Sequence, residues 1–161
     1  MVARSSFVAV NAFEDIPVKA LYTTRLEGKS EGDYSSFNLG LHVEDKPQAV
    51  LQNRLALEKH LSKKVVFMNQ THSDKVILVD KNDVCECEKM LEGKTPVSLG
   101  VEADGIVTCD STVALAVLTA DCLPLLMTTK EGECYRSCSL RLERCVLKHH
   151  QKCCSSYKRA L

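Results

Sequence analysis

The chain has no tryptophan, and aromatic residues make up only 5% of it. That is thin material for the stacked aromatic faces that hold single-stranded nucleic acids, so no nucleic-acid partner is expected. No apolar run approaches the roughly 20 residues a helix needs to cross a bilayer, so no membrane partner is expected either. The opening "MVARSSFVAVNAFEDI" has a basic start but lacks the long apolar centre of a secretory leader, and acids follow at once. The expected compartment is therefore the cytoplasm. Internal repeats and low-complexity stretches are missing as well. What is present is an ordinary globular composition, 45% hydrophobic and 26% charged over 161 residues, long enough for one domain with a sizeable core.

The formal net charge of zero hides a division. Residues 134–161 carry seven basic side chains against Glu143 alone, while residues 1–133 carry 14 basic and 20 acidic ones. Five of the nine cysteines, Cys134, Cys138, Cys145, Cys153 and Cys154, also fall in that short tail. Without an export signal, so many cysteines point to thiols or metal ligands rather than a disulfide scaffold. The change of character near residue 133 divides the chain into a body, 1–133, and a basic, cysteine-rich tail, 134–161.

Along the body, "FVAV" (7–10) and "VKALYTT" (18–24) read as strands. "RLEGKSEGDYSS" reads as a loop and "FNLGLHVEDKP" as a turn-rich link. Asp45 is expected to cap a helix with Pro47 in its first turn; "PQAVLQNRLALEKHL" places Val50, Leu51, Leu55 and Leu61 on one face and ends near Ser62. "KVVFMNQTHSDKVILVD" reads as strand, turn, strand, and "KNDVCECEKMLEGKTPVSLGVEA" as polar and irregular. "DGIVT", "VALAVLTA" and "LPLLMTT" are three further strands whose continuous apolar runs suggest burial on both faces. The class is mixed α and β, with strands dominating.

Two residues could carry chemistry. His72 sits in the polar turn "NQTHSDKV". It reads either as a surface-turn histidine or as a ligand or base. Cys122 follows Asp121 between two apolar runs. It reads either as a small buried hydrophobe or as a working thiol. Asp121 weighs toward the second, since an acid at a strand end needs a partner and carboxylates orient metal-bound histidines. A catalytic zinc takes about three protein ligands, and a thiol nucleophile needs a histidine base in reach. His72 and Cys122 are half of either arrangement. His60 at the helix end and His42 in the link read as structural, and Cys85, Cys87 and Cys109 as incidental thiols.

Taken together and in order, "TTR", "FNLGLHVEDKPQAVLQNR", "VVFMNQTHSDKV", "EADGIVT" and "VALAVLTADCLPLL" resemble the laccase-domain family, also called the multicopper polyphenol oxidoreductases. The similarity spans about residues 18–132. The resemblance implies an α+β fold, a mixed-sheet α/β/β/α sandwich, here truncated. It also implies purine nucleoside phosphorylase activity, with adenosine deamination as a side activity. Its implied metal site takes the His of NQxH and the Cys of ADCxP, here His72 and Cys122, plus a second His from an HAGWRG-type motif. Zinc is the implied metal, with copper the older assignment. Asp121 and Cys122 are then the implied catalytic pair, with Asp121 as a proton shuttle, and Asn38 and Gln70 line the nucleoside pocket. Purine nucleoside and phosphate are the implied partners. Some members of the family carry a peptidoglycan-editing role instead, which would imply a muropeptide precursor.

The third ligand is missing. Ser139 stands where the family's second histidine belongs, and no HAGWRG-like string, with its anion-suited arginine, occurs in the chain. Read one base out of frame, however, degenerate codons for residues 139–145 permit His-x-Gly-Trp-Arg-Gly from that same position. The tail thus has the composition expected of a one-base frameshift near Glu133–Cys134, which would leave the enzyme impaired. Two rival readings keep function without it: a metal-free hydrolase using Cys122 as nucleophile and His72 as base, or a non-enzymatic zinc module built from the tail's cysteines with His149 and His150. The frameshift reading requires the codon for Leu142 to be CTG or TTG, so that tryptophan appears in the shifted frame. Sequencing the gene across codons 134–145 checks it, and any other leucine codon contradicts it.

Overall fold

The alternation in "VVFM" organises the centre of the molecule. In the computed structural model, which describes residues 5–86, 88–91, 95–120 and 122–140, Val65 and Phe67 point into one apolar cluster and Val66 and Met68 into another. The period of two along a strand sends successive side chains to opposite faces. Here both faces are covered, so every position is apolar. Strand β3 (Lys64–Val66) pairs in parallel with β8 (Val113–Leu115). The chain through and beyond β8 repeats the alternation: Val113, Leu115 and Val117 join one cluster, and Ala114, Ala116 and Leu118 the other. The pair forms a wall between two cores.

One core holds Val79, Val84, Ala103 and Ile106. It lies toward a four-stranded sheet in the order β4–β7–β10–β9, made of β4 (Val76–Leu78), β7 (Gly105–Thr108), β9 (Leu123–Thr128) and β10 (Tyr135–Leu140). β4 and β7 run parallel, and β10 runs antiparallel to both β7 and β9. The other core holds Phe37, Leu39 and Leu57. Phe7 and Leu21, from the antiparallel pair β1 (Phe7–Val10) and β2 (Ala20–Thr23), pack against it. Phe7 meets Phe37 edge-on and stacks on the exposed ring of His60, at centroid distances of 5.5 and 3.9 Å.

Helix α1 (Pro47–Leu61) has proline in its first turn, where the missing N–H is harmless. Its cap differs from the expectation. Lys46 is the cap residue, and Asp45 instead accepts from the Lys46 N–H and the Asn38 amide. The last turn closes on Ser62 in the left-handed region, φ 54°, whose N–H reaches back to Glu58 and Lys59. The buried face differs too. Leu55 and Leu61 are only half-buried, while Asn53, Arg54 and Glu58 are buried beside Val50, Leu51 and Leu57. Asn53 accepts from the Lys29 N–H and donates to Ser30, Ser36 and Asn38. Arg54 donates to the carbonyls of Leu39, Ser98 and Leu99 and lies over the Phe67 ring at 3.9 Å. Burial lowers its pKa to about 10, against the charge of Glu58. Glu58 itself accepts from the Val65 N–H and Lys64. The helix therefore clamps the loops by satisfying their backbone groups, which a buried loop requires.

The segment read as polar and irregular contains α2 (Lys81–Glu86) and a hairpin of β5 (Glu88–Leu91) with β6 (Thr95–Ser98). Proline at the second residue of β6 hid the strand in the sequence. β9 departs from the expected two-sided burial. It is an edge strand, with Leu123 56% and Leu126 36% exposed. Cys109 and Cys134 form a disulfide, so Cys109 is not an incidental thiol. The pairing Thr108↔Tyr135 sets these two cysteines opposite each other at the end of the β7–β10 ladder. The chain runs on past residue 133 into β10, so the first residues of the basic tail take part in the main sheet. The remainder, 141–161, with Cys145, His149, His150, Cys153 and Cys154, lies outside the described residues.

Replacing Arg54 with leucine leaves three carbonyls, two of them buried, without their donor. We expect the loss to be about 3 kcal/mol or more, read as a fall in the urea midpoint by circular dichroism. A change below about 1 kcal/mol would show that those carbonyls do not depend on the guanidinium.

Candidate functional site

A broad cleft of about 1990 Å³ opens beside the β3–β8 wall. Its lining comes from the 37–43 link, the end of the NQTH turn, the stretch after β8, and the start of β9. Asn38, Gln70, His72 and Cys122 all line it. Asp121 lies outside the described residues. The fold thus brings four of the five sequence-chosen residues onto one cavity, although they come from three separate segments.

The NQTH turn is fixed at both ends. Asn69 donates its N–H to Val101 and Val101 donates to Phe67, so the strand-like run of β3 continues to the edge of the cleft. Gly100 has φ +112°, and a Cβ there would fall 2.9 Å from the Asn69 side-chain oxygen, so only glycine fits. Beyond Asn69 the chain turns sharply. His72 adopts φ 59°, a left-handed backbone uncommon outside glycine.

Asp104 sits beneath this turn, immediately before β7 and 2% exposed. One carboxylate oxygen accepts from the His72 N–H at 2.9 Å. The other accepts from the Ser73 N–H and hydroxyl at 2.8 and 2.7 Å, and from the Thr71 N–H and hydroxyl at 3.4 and 3.3 Å. Burial pushes the carboxyl up, but the Ser73 hydroxyl and the N–H groups of Ser73, His72 and Thr71 outweigh it and hold its pKa below the ordinary value. "EADGIVT" is one of the strings that carry the resemblance, yet nothing in it gives Asp104 a role beyond setting an acid among small residues at the start of a fully buried strand. Such a carboxylate needs donors, and the Thr and Ser flanking His72 are the available ones.

Asn38 spends its amide inside its own loop. Its oxygen accepts from the Gly40 N–H at 2.9 Å, and its nitrogen donates to Asp45 at 2.9 Å and to the Gly40 carbonyl at 3.4 Å. It shapes the cleft wall more than it offers a binding group.

The donor types fit zinc: an imidazole and a thiol on one cavity, a pair copper also accepts. The number falls short. Among the described residues, no three of His, Cys, Asp and Glu gather as a metal group. Ser139, the position the resemblance gives to a second histidine, falls in β10. Position 139 of β10 pairs with Pro124 of β9, two residues beyond Cys122.

The model of the multi-copper polyphenol oxidoreductase laccase family matches residues 19–135. The chain belongs to this family. A purine nucleoside phosphorylase of Corynebacterium glutamicum is 43% identical over 120 residues, which is 72% of this chain and 44% of the relative. One from Haemophilus influenzae is 39% identical over 129 residues, 77% of this chain and 46% of the relative. Among solved structures, the Neisseria meningitidis protein NMB0706 superposes with a TM-score of 0.68 at 34% identity, covering 84% of this chain and 50% of its own. YfiH of Bacillus licheniformis gives 0.66 at 28% identity, covering 84% and 49%. The mixed α+β class expected from the sequence is the fold these relatives share. The chain spans less than half the length of the two phosphorylases. Among the described residues, no helix is long and apolar enough to cross a membrane.

The depressed Asp104 carboxyl has a signed consequence for the turn. A group whose folded pKa lies below its unfolded value of about 3.9 adds stability above that value and loses it as pH falls through the folded pKa. Asp104→Asn should cost about 2–3 kcal/mol at neutral pH. That gap should hold from pH 7 to about 5 and close below about pH 4. Urea unfolding of both proteins across this range checks it, and a gap that stays constant into acid would contradict it.

Proposed function

We propose that the chain carries part of a zinc-dependent purine nucleoside phosphorylase, and that its own activity is impaired. The reaction takes adenosine, inosine or methylthioadenosine with phosphate to the free base and ribose 1-phosphate, with adenosine deamination as a side activity. The observation that carries the reading is that His72 and Cys122, from a turn and from the entry to an edge strand, line one cleft. The names of the relatives support the substrate class.

In phosphorolysis a phosphate oxygen bonds to the ribose anomeric carbon as the bond to the purine nitrogen breaks, and the departing base takes a proton. The protein's part is to hold the two reactants in line and to stabilise the developing charge. In this chain the β3–β8 wall and the apolar residues of β2 offer a face for the purine. Gln70 places an amide at the cleft, able both to donate to and to accept from a base edge. Bound zinc would supply a polarised water for deamination, and we assign Asp121 to carry the proton in that step. His72 and Cys122 would hold the ion.

Two donors hold zinc less firmly than three. We therefore expect phosphate-dependent release of adenine from adenosine by the 161-residue chain to stay at background. We expect Ser139→His to tighten zinc binding by about tenfold or more, equivalent to roughly 1.4 kcal/mol, and Cys122→Ser to abolish the gain. Chromatography of the base and competition with a zinc indicator give the two readouts. Base release near an ordinary enzymatic turnover of about 10 per second, or zinc binding indifferent to both substitutions, would contradict the proposal.

A further inference from the structure

The segment that carries His72 has no regular secondary structure of its own. Residues 69–75 lie outside every helix and strand, His72 is exposed, and its backbone is left-handed at φ 59°. A non-glycine residue in that conformation costs on the order of 1 kcal/mol. It persists only where the surroundings over-determine it. An exposed turn of this kind would ordinarily sample several conformations, and the imidazole would sample them with it.

One residue closes the turn from both sides. The Asp104 carboxylate takes the consecutive backbone N–H groups of Thr71, His72 and Ser73, together with the two flanking hydroxyls. The Asp104 and Gly105 N–H groups donate in turn to the Lys75 carbonyl, at 3.0 and 3.1 Å. Asp104 is itself immobile. It is 2% exposed, and it leads directly into β7, whose four residues are all buried and which pairs with β4 and β10. The bond from His72 to Asp104 runs through the His72 backbone N–H, so Asp104 acts on where the ring is carried.

We infer that Asp104 is the positioning residue for His72. Its carboxylate transmits the rigidity of β7 to the exposed turn and keeps the imidazole on the cleft that Cys122 also lines. The inference rests on the reading of His72 as a working group of that cleft, but not on the identity of the substrate. Asparagine cannot replace the carboxylate. Both oxygens accept, and an amide must turn its NH2 group toward backbone or hydroxyl donors on one side.

The test uses the full chain with carbon-13-labelled imidazoles, the His72 signal being assigned through His72→Gln. In Asp104→Asn we expect the His72 ring signal to shift and broaden. The amides of Thr71, His72 and Ser73 should exchange about tenfold faster or more, the factor for about 1.4 kcal/mol of lost protection. The His42 and His60 ring signals, read in the folded protein, should stay as in the parent. Paired Thr71→Val and Ser73→Ala removes the hydroxyl donors while keeping the three N–H bonds, and should accelerate the same amides by only about twofold to fivefold. An unchanged His72 signal in Asp104→Asn overturns the inference. So does a change spread evenly over all the histidine ring signals, which would leave nothing specific to the turn. If Asp104→Asn does not fold, the paired variant decides in the same way: a response confined to the turn supports positioning, and an unchanged or a general one refutes it. No substrate enters the measurement, so failure of the phosphorylase reading and failure of this inference remain separate results.

Discussion

The wall made by β3 and β8 is the constraint from which the rest of the structure follows. Beyond Lys64 every side chain of this parallel pair is apolar, which requires a core on each side, and this chain supplies both. The valine-rich cluster toward β7 fixes the four-stranded sheet. The Phe37–Phe67 cluster fixes α1, β1 and β2. The functional residues sit where this wall runs out. His72 follows the end of β3, and Cys122 follows the end of β8 by way of the Ala116–Leu118 stretch. Two segments paired in register leave the wall in the same direction, and so His72 and Cys122, distant in sequence, reach one cavity.

Polar groups do the fastening that apolar packing leaves undone. Asn53 and Arg54 on α1 bind the 29–39 loop, and Arg54 also reaches the 98–99 corner. Asp104 binds the His72 turn. All three are buried, and each satisfies backbone groups. Burial makes these interactions strong and makes their loss expensive. Their placement also explains why the loops lining the cleft hold a shape without regular secondary structure.

Most of the strands are legible in the sequence because their apolar runs are unbroken. The helix is legible from its proline and its length. What escapes are features set by tertiary partners. Leu55 and Leu61 look like core residues on a helical wheel, yet the buried face is centred on Asn53, Arg54 and Glu58, because loops rather than side chains pack there. β6 is hidden by Pro96, and α2 and β5 by a polar, charged sequence. β9 reads as buried on both faces, but it forms a sheet edge with exposed leucines. An apolar run reports that a strand is suited to burial, and only the neighbouring elements decide whether it is covered. Of the site, His72 and Cys122 are legible through NQxH and ADCxP, and Asp104 is not, since its role appears only when β7 is set beneath the turn.

The central claim is that His72 and Cys122 serve one metal ion. X-ray absorption at the zinc edge, on the chain loaded with one equivalent of zinc, tests it most directly. The account predicts a sulfur shell at about 2.3 Å with nitrogen or oxygen at about 2.0–2.1 Å. The sulfur should vanish in Cys122→Ser, and the imidazole scattering in His72→Gln. A zinc environment that keeps its sulfur in Cys122→Ser, or shows no imidazole in the parent chain, would contradict it.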